Sequence, residues 1–384
     1  MRRMFQIAWV FFILTALLGF VLRLQLVYPL SGIQYGNLLH AHSHIAFLGW
    51  VFNAFYALAL KRFVRPEQFR FFVVWFIVLQ VANVGMLIAY PLQGYAGISI
   101  AFTSLHMFGA VAFALRLWKS NTASAIAGPY LKASLVFMLL SGIGPLALGP
   151  LAALDLRSSP FYELAVYWYL HFQYNGWFIC FLLAWILQEV PETSTRPAHQ
   201  ALRYWISGIA LTFLLSVLWL QPPLWVFALA GIGAGLQLVG FGYFARMFSD
   251  QRNRNFMGNG MIRFLCGLAV TALLAKNLMQ LAAALPGFVD LANNRFIVIG
   301  FLHWVFLVVV TPFLIAQGLR FSWLPDNLLS RASIVILITG ILLTQLILFA
   351  APVTGTFGLP IPQSTLFAAG LMLLGSLGTM VRKP

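Results

Sequence analysis

Long apolar runs, each about as long as a bilayer is thick and each closed by charge or by a Pro/Gly cluster, follow one another along the chain. A helix rising 1.5 Å per residue needs roughly 20 apolar residues to cross the hydrocarbon core. Such runs occupy residues 5 to 27, 36 to 60, 70 to 90, 96 to 117, 127 to 153 and 161 to 187, then 204 to 220, 223 to 246, 261 to 285, 296 to 319, 331 to 350 and 364 to 381. The pattern predicts an all-α polytopic membrane protein with twelve transmembrane helices, spans 1 to 12, in a single transmembrane domain over 1–384. The first run follows Arg2 and Arg3 as a signal peptide would, but it is too long for one and lacks a clear small-residue cleavage site, so it reads as a helix.

Composition agrees and narrows the class. Of 384 residues, 61% are hydrophobic, 16% aromatic and only 8% charged, with a mean hydropathy of +0.90. A soluble globular domain carries about 25% charged residues, so no soluble domain is expected. The net charge of +15, from 23 Lys and Arg against 8 acids, would suggest nucleic acid in a soluble chain. Its placement says otherwise. The amino terminus, the even-numbered loops and the carboxyl terminus hold 19 of the basic residues, and the odd-numbered loops hold only Arg157 and Arg295. Arg23 and Lys276 lie within spans. Cytoplasmic loops retain Lys and Arg, so both termini are expected on the cytoplasmic side of a membrane, read as a bacterial inner membrane, with no nucleic-acid partner. Cys180 and Cys266 fall in apolar segments on different helices, where small buried thiols are ordinary.

The seven histidines carry the candidate chemistry. His199 belongs to the polar stretch Pro191 to Gln200 with Glu192 and Arg196 and reads as a solvated loop side chain. The other six are intramembrane: His40, His42 and His44 on span 2, His106 on span 4, His171 on span 6 and His303 on span 10. All four helices run from outside to inside in the predicted topology, and their histidines begin roughly 6 to 15 Å from the outer end. They form a layer in the outer half of the membrane, where ionisable residues are costly and face a bundle interior to bind something or relay protons.

An internal repeat accompanies the layer. His44-Ile45-Ala46-Phe47-Leu48-Gly49-Trp50 and His171-Phe172-Gln173-Tyr174-Asn175-Gly176-Trp177 share His-x4-Gly-Trp at a separation of 127 residues. His303 follows after another 132 and, like His171, is preceded by Leu, without the Gly-Trp. With 31 Gly and 12 Trp in 384 residues, a chance Gly-Trp at that offset is rare. Spans 2, 6 and 10 read as equivalent members of three four-helix units in a pseudo-threefold arrangement, a period that sets the whole fold.

Helical spacing puts His40 and His44 on one face and His42 on nearly the opposite one. Imidazole suits haem iron, copper and zinc, whereas hard cations want carboxylates, and no carboxylate lies deep in a span. Glu163 begins span 6 and Asp290 precedes span 10. Haem is favoured over a bare metal because two axial histidines suffice for it, while a closed four-coordinate site needs more ligands than one compartment holds. The aromatic, Gly-containing flanks of His44 and His171 would suit a flat macrocycle and suit helix packing equally. Lys276, with Asn277 and Gln280, is a further deep polar cluster, on span 9.

Twelve spans, histidines on the second, sixth and tenth, and a threefold repeat resemble the catalytic subunit of the haem-copper oxidase superfamily, which includes cytochrome oxidases and nitric oxide reductases. The His-Ala-His run and the short twelve-span chain are also similar to the NnrS haem and copper membrane proteins. The resemblance is architectural over nearly the whole chain and local only near the histidines. It implies that His44 or His40 pairs with His303 as axial ligands of a low-spin haem b, and that His171 takes the position of the ligand to copper or non-haem iron. His42 and His106 are further candidate metal ligands. Arg23, Arg157 and Arg295 are candidates for the haem propionates, since guanidinium binds carboxylate in bidentate fashion. The chain departs from the family in having no histidine over 204 to 220, a lone His303 on span 10, and Asn175 where nitric oxide reductases carry a carboxylate. The resemblance therefore implies electron transfer, or binding or reduction of a diatomic gas (O2 or NO), with a degenerate second metal site and a separate electron donor. A twelve-span transporter using the histidines as a substrate, metal or proton site is the alternative. Copper handling by His40, His42, His44, His106 and His171 is a third reading.

Overall fold

The computed structural model describes residues 1–190, 195–248, 257, 258, 260–354 and 360–381. Among them there is no β-strand, and twelve helices are long and apolar enough to cross a membrane. The chain is an integral multi-pass membrane protein of helical class. Span 1 is Arg2–Val27, span 2 Tyr35–Arg62, span 3 Pro66–Gln93, span 4 Gly97–Ser120, span 5 Ala127–Ala153 and span 6 Pro160–Leu187. Span 7 is Thr195–Leu220, span 8 Leu224–Met247, span 9 Gly260–Ala283, span 10 Arg295–Arg320, span 11 Leu328–Pro352 and span 12 Ile361–Gly378.

Local chemistry sets several of these limits. Ser159-Pro160 opens span 6 with proline at the first helical position, where its missing N–H costs nothing. The Asn294 side chain accepts the N–H of Phe296 and so caps span 10. Spans 3 and 4 are joined through Gly94 at φ +67°, where a Cβ would collide with the Asn37 side chain, so only glycine fits. Span 5 is interrupted at Gly142, between Ala127–Ser141 and Ile143–Ala153.

Span 7 departs from the sequence reading by starting nine residues early. The predicted solvated loop over 191 to 200 is instead helical from Thr195, while 191–194, with Glu192, lie outside the described residues. Ala198, Ala201, Leu202, Trp205 and Ile209 recur at helical spacing and are buried, whereas Arg196 and Arg203 remain exposed. A helical turn with one charged face and one apolar face is, averaged over its residues, as polar as a loop. His199 sits on this helix, and its Nε2 is buried without a partner.

The residues group into two compact units. Unit 1 comprises Met1–Ser120, Asn259–Cys266 and Val310–Pro384, and unit 2 comprises Asn121–Gly258 and Gly267–Val309. In unit 1 the Trp50 ring on span 2 meets Trp9 at 5.5 Å, Phe12 at 4.9 Å and Phe5 at 6.1 Å, all from span 1. Its indole N–H donates to Thr311 Oγ1 at 3.2 Å. In unit 2 Phe172 of span 6 stacks on Phe137 of span 5 at 5.8 Å and on Phe213 of span 7 at 5.7 Å. Cys180 and Cys266 are both buried.

Spans 2, 6 and 10 are the most buried of the twelve. Of their most apolar stretches 83%, 94% and 61% is buried, against 22 to 50% for the other nine.

Candidate functional site

Each of these three spans changes its winding directly after a histidine. Span 2 is α-helical over Tyr35–His44, a π-helix over Ile45–Phe52 and α-helical again over Asn53–Arg62. Span 6 repeats this as Pro160–His171, Phe172–Phe178 and Ile179–Leu187. Span 10 does so as Arg295–His303, Trp304–Val310 and Thr311–Arg320. A π segment inserts an extra residue into the helix, is rare, and tends to sit at functional sites.

Gly49 and Gly176 lie inside two of these π segments and do the same packing work. A Cβ on Gly49 would stand 2.9 Å from Cγ of Phe11 on span 1, and one on Gly176 would stand 2.5 Å from Cβ of Phe137 on span 5. The Gly-Trp stripe is therefore core, with the glycine admitting a phenylalanine from the preceding helix.

In unit 1 the histidines share one hydrogen-bonding habit. His44 Nδ1 donates to the His40 carbonyl at 2.9 Å, and His42 Nδ1 donates to the Thr15 carbonyl on span 1 at 3.1 Å. His106, 1% exposed, donates to the Leu48 carbonyl within the π segment, while its Nε2 has no partner. A carbonyl can only accept, so in each ring Nδ1 carries the proton and Nε2 presents the lone pair.

His40 and His44 face the Tyr90 and Tyr95 rings at 4.4 to 6.2 Å. His42 lies on the other side of the helix, against span 1, where a Cβ at Gly19 would come 3.0 Å from its Cε1. The Tyr90 hydroxyl is 3.0 Å from His44 Nε2 and 2.8 Å from Thr103 Oγ1. Arg23 is partly buried on span 1, within electrostatic reach of His42.

Unit 2 holds both habits. His303 Nδ1 donates to the Ile299 carbonyl at 2.8 Å, four residues back, as His44 does to His40. His171 is reversed: Nε2 donates to the Ile209 carbonyl on span 7 at 2.8 Å, and Nδ1 accepts from Asn175 Nδ2 at 3.2 Å. Both nitrogens of His171 are thus engaged within the protein, and a metal would have to displace the Asn175 amide to reach its lone pair. Arg157 and Arg295 are exposed.

A buried polar chain extends from this histidine's neighbours. Thr212 Oγ1 accepts from Gln237 Nε2 at 2.8 Å, and Gln237 Oε1 accepts from Lys276 Nζ at 2.9 Å. Thr212 and Gln237 are residues that the sequence reading did not single out, because each alone looks like an incidental polar residue in an apolar helix. Among the described residues no three His, Cys, Asp or Glu side chains come together as a metal-binding group.

The donor set fits a haem. A histidine that gives Nδ1–H to a carbonyl is oriented, its ring is made more basic, and it offers Nε2 to iron. His44 and His303 share that carbonyl contact at matching places in their spans, and at His44 a metal would have to displace the Tyr90 hydroxyl from Nε2. The chain matches no protein-family model and no curated protein.

Proposed function

We propose that this chain is a haem b-binding integral membrane protein, on a scaffold like that of the haem-copper oxidases, acting in electron transfer or in binding or reduction of a diatomic gas. The observation that carries the reading is the identical setting of His44 and His303: each ends an α-helical segment, precedes a π segment, and donates Nδ1–H to the carbonyl four residues earlier. Each would hold a haem through Nε2, and a haem so held would supply a one-electron couple.

The chain's own residues do the rest. The His40 and Ile299 carbonyls fix the ring orientation and tautomer of the two ligands. Tyr90 and Tyr95 wall the outer approach to His44. Arg23, Arg157 and Arg295 are the proposed partners of the propionates. His106, with its open Nε2, is the residue best suited to a second metal, copper or non-haem iron, and His42, on the other side of span 2, is a separate candidate. The engagement of His171 by Asn175 and the absent carboxylate support a degenerate second site. Electrons would come from a separate donor.

The recurrence of the α–π–α pattern on spans 2, 6 and 10 supports the pseudo-threefold arrangement of four-helix units. The distribution of Lys and Arg supports cytoplasmic termini, and the membrane is proposed to be a bacterial inner one.

The test is the reduced-minus-oxidised visible spectrum of the detergent-purified protein, with a pyridine haemochrome assay and copper analysis on the same sample. Sharp bands of six-coordinate haem b, lost in H303A, are the expected result. A colourless protein would overturn the reading in favour of transport, and an unchanged spectrum in H303A would remove His303 as a ligand.

A further inference from the structure

Span 9 carries a cation into the interior of unit 2. Lys276 is 0% exposed. Its Nζ donates to Gln237 Oε1 on span 8 at 2.9 Å and to Asn277 Oδ1 at 3.4 Å. Gln237 is held from its other end by the bond to Thr212 on span 7, whose own hydroxyl is given to the Gly208 carbonyl. An ammonium has three N–H groups, so one remains after these two acceptors.

No carboxylate on the surrounding spans answers the charge. Spans 7, 8 and 9 contain no Asp or Glu, and span 6 has only Glu163, in its first turn. Moving an unpaired ammonium out of water costs several kcal/mol, and neutral dipoles offset only part of that. Gln280, one helical turn further along span 9, has an unpartnered buried Oε1. Being a neutral amide, it brings no negative charge.

A second donor is at hand. Asn277 Nδ2 is buried and unpartnered. Covalent geometry sets it about 2.2 Å from its own Oδ1, and hence no more than about 5.6 Å from Lys276 Nζ given the 3.4 Å contact. Two N–H···O bonds of about 2.9 Å can meet on one acceptor when their donors are up to about 5.8 Å apart. A cation and a neutral N–H, both short of acceptors and both within reach of one atom, describe a receptor for an anion.

We propose that Lys276 and Asn277 bind a small monovalent inorganic anion, of the chloride or nitrate type, inside unit 2. The anion neutralises Lys276 and accepts its third N–H together with Asn277 Nδ2–H. Gln237, braced by Thr212, orients the lysine. The site does not depend on the haem reading and can stand or fall without it.

The experiment is thermal unfolding of the full detergent-purified chain at fixed ionic strength, with sodium gluconate replaced stepwise by chloride or nitrate. Gluconate is too large for a site made by two adjacent residues of one helix. A ligand of the native state raises the midpoint in a saturable way. The wild type is expected to show that rise, and K276M to show none while unfolding at a higher midpoint than the wild type in gluconate, because it lacks the uncompensated charge. N277A, which keeps the charge, should need several-fold more anion for the same rise and decides the matter if K276M fails to fold. The absence of a saturable rise in the wild type, its survival in K276M, or an unchanged concentration dependence in N277A would each overturn the proposal.

Discussion

The hydroxyl of Tyr90 stands 3.0 Å from Nε2 of His44, on the one lone pair of that ring which a metal would use. His44 already donates through Nδ1, so in this pair the tyrosine donates and the imidazole accepts. Thr103 Oγ1, 2.8 Å from the same hydroxyl, gives Tyr90 another partner when Nε2 is wanted elsewhere. Tyr90 thus holds His44 ready without being a ligand.

Y90F should therefore keep its haem, with six-coordinate band positions unchanged, and lose about 1 kcal/mol of stability for the missing hydrogen bond. H44A should lose the low-spin signal. Pyridine haemochrome content per protein measures both, and equal losses in the two variants would assign Tyr90 to ligation.

The two Gly-Trp glycines should be intolerant of even one added carbon. G49A drives a methyl into the Phe11 ring and G176A drives one into Phe137. Overpacking of this kind costs about 1 to 3 kcal/mol. Gly36, in the first turn of span 2 with open space at its Cβ position, is the control, and G36A should be neutral or slightly stabilising. Thermal midpoints in detergent separate the three, and G49A as stable as G36A would show that span 1 can retreat.

Much of this was legible in the sequence, for identifiable reasons. Twelve spans follow from run length alone, because an apolar stretch of bilayer length has few other uses. The kinship of His44 with His171 was visible in the Gly-Trp spacing, since a glycine that admits a neighbouring ring leaves a one-letter trace. What joins His303 to them is the π segment that follows it; the His-x2-Phe-Leu shared by His44–Leu48 and His303–Leu307 is made of common apolar residues and does not by itself announce such a winding. The start of span 7 was hidden by Arg196, His199 and Arg203, which make a helix polar on average although its other face is buried. The opposite tautomer of His171 was out of reach too, because it depends on the Ile209 carbonyl, 38 residues away.

Asp326, between spans 10 and 11, gives a pH-dependent contact outside the spans. Arg331 donates to both of its carboxylate oxygens, at 2.7 and 3.1 Å, and this hydrogen bonding, with the guanidinium charge, holds the carboxyl below its usual value. A lowered carboxyl contributes stability that is present above its unfolded-state value and disappears as the pH falls through the folded one. Both side chains are about half exposed, so the effect is small and shrinks with added salt. D326N should lower the unfolding midpoint slightly at pH 7 and low salt, with the difference shrinking as the pH falls through the folded-state value of the carboxyl. A difference that does not change with pH or salt would point to the loop's shape rather than to the ion pair.

His106 separates packing from ligation within one ring. Its Nδ1–H serves the Leu48 carbonyl inside the π segment, and its Nε2 is buried with no partner. H106L removes the donor and strands that carbonyl in an apolar interior, a loss of about 1 to 3 kcal/mol. H106N can keep an N–H near the Nδ1 position while giving up the open lone pair, so its midpoint should stay within about 1 kcal/mol of the wild type. If Nε2 binds copper or non-haem iron, H106N should fold normally yet lose one metal equivalent, by elemental analysis of protein purified alongside the wild type. A normal metal content in a well-folded H106N would confine His106 to bracing the π segment beside His44.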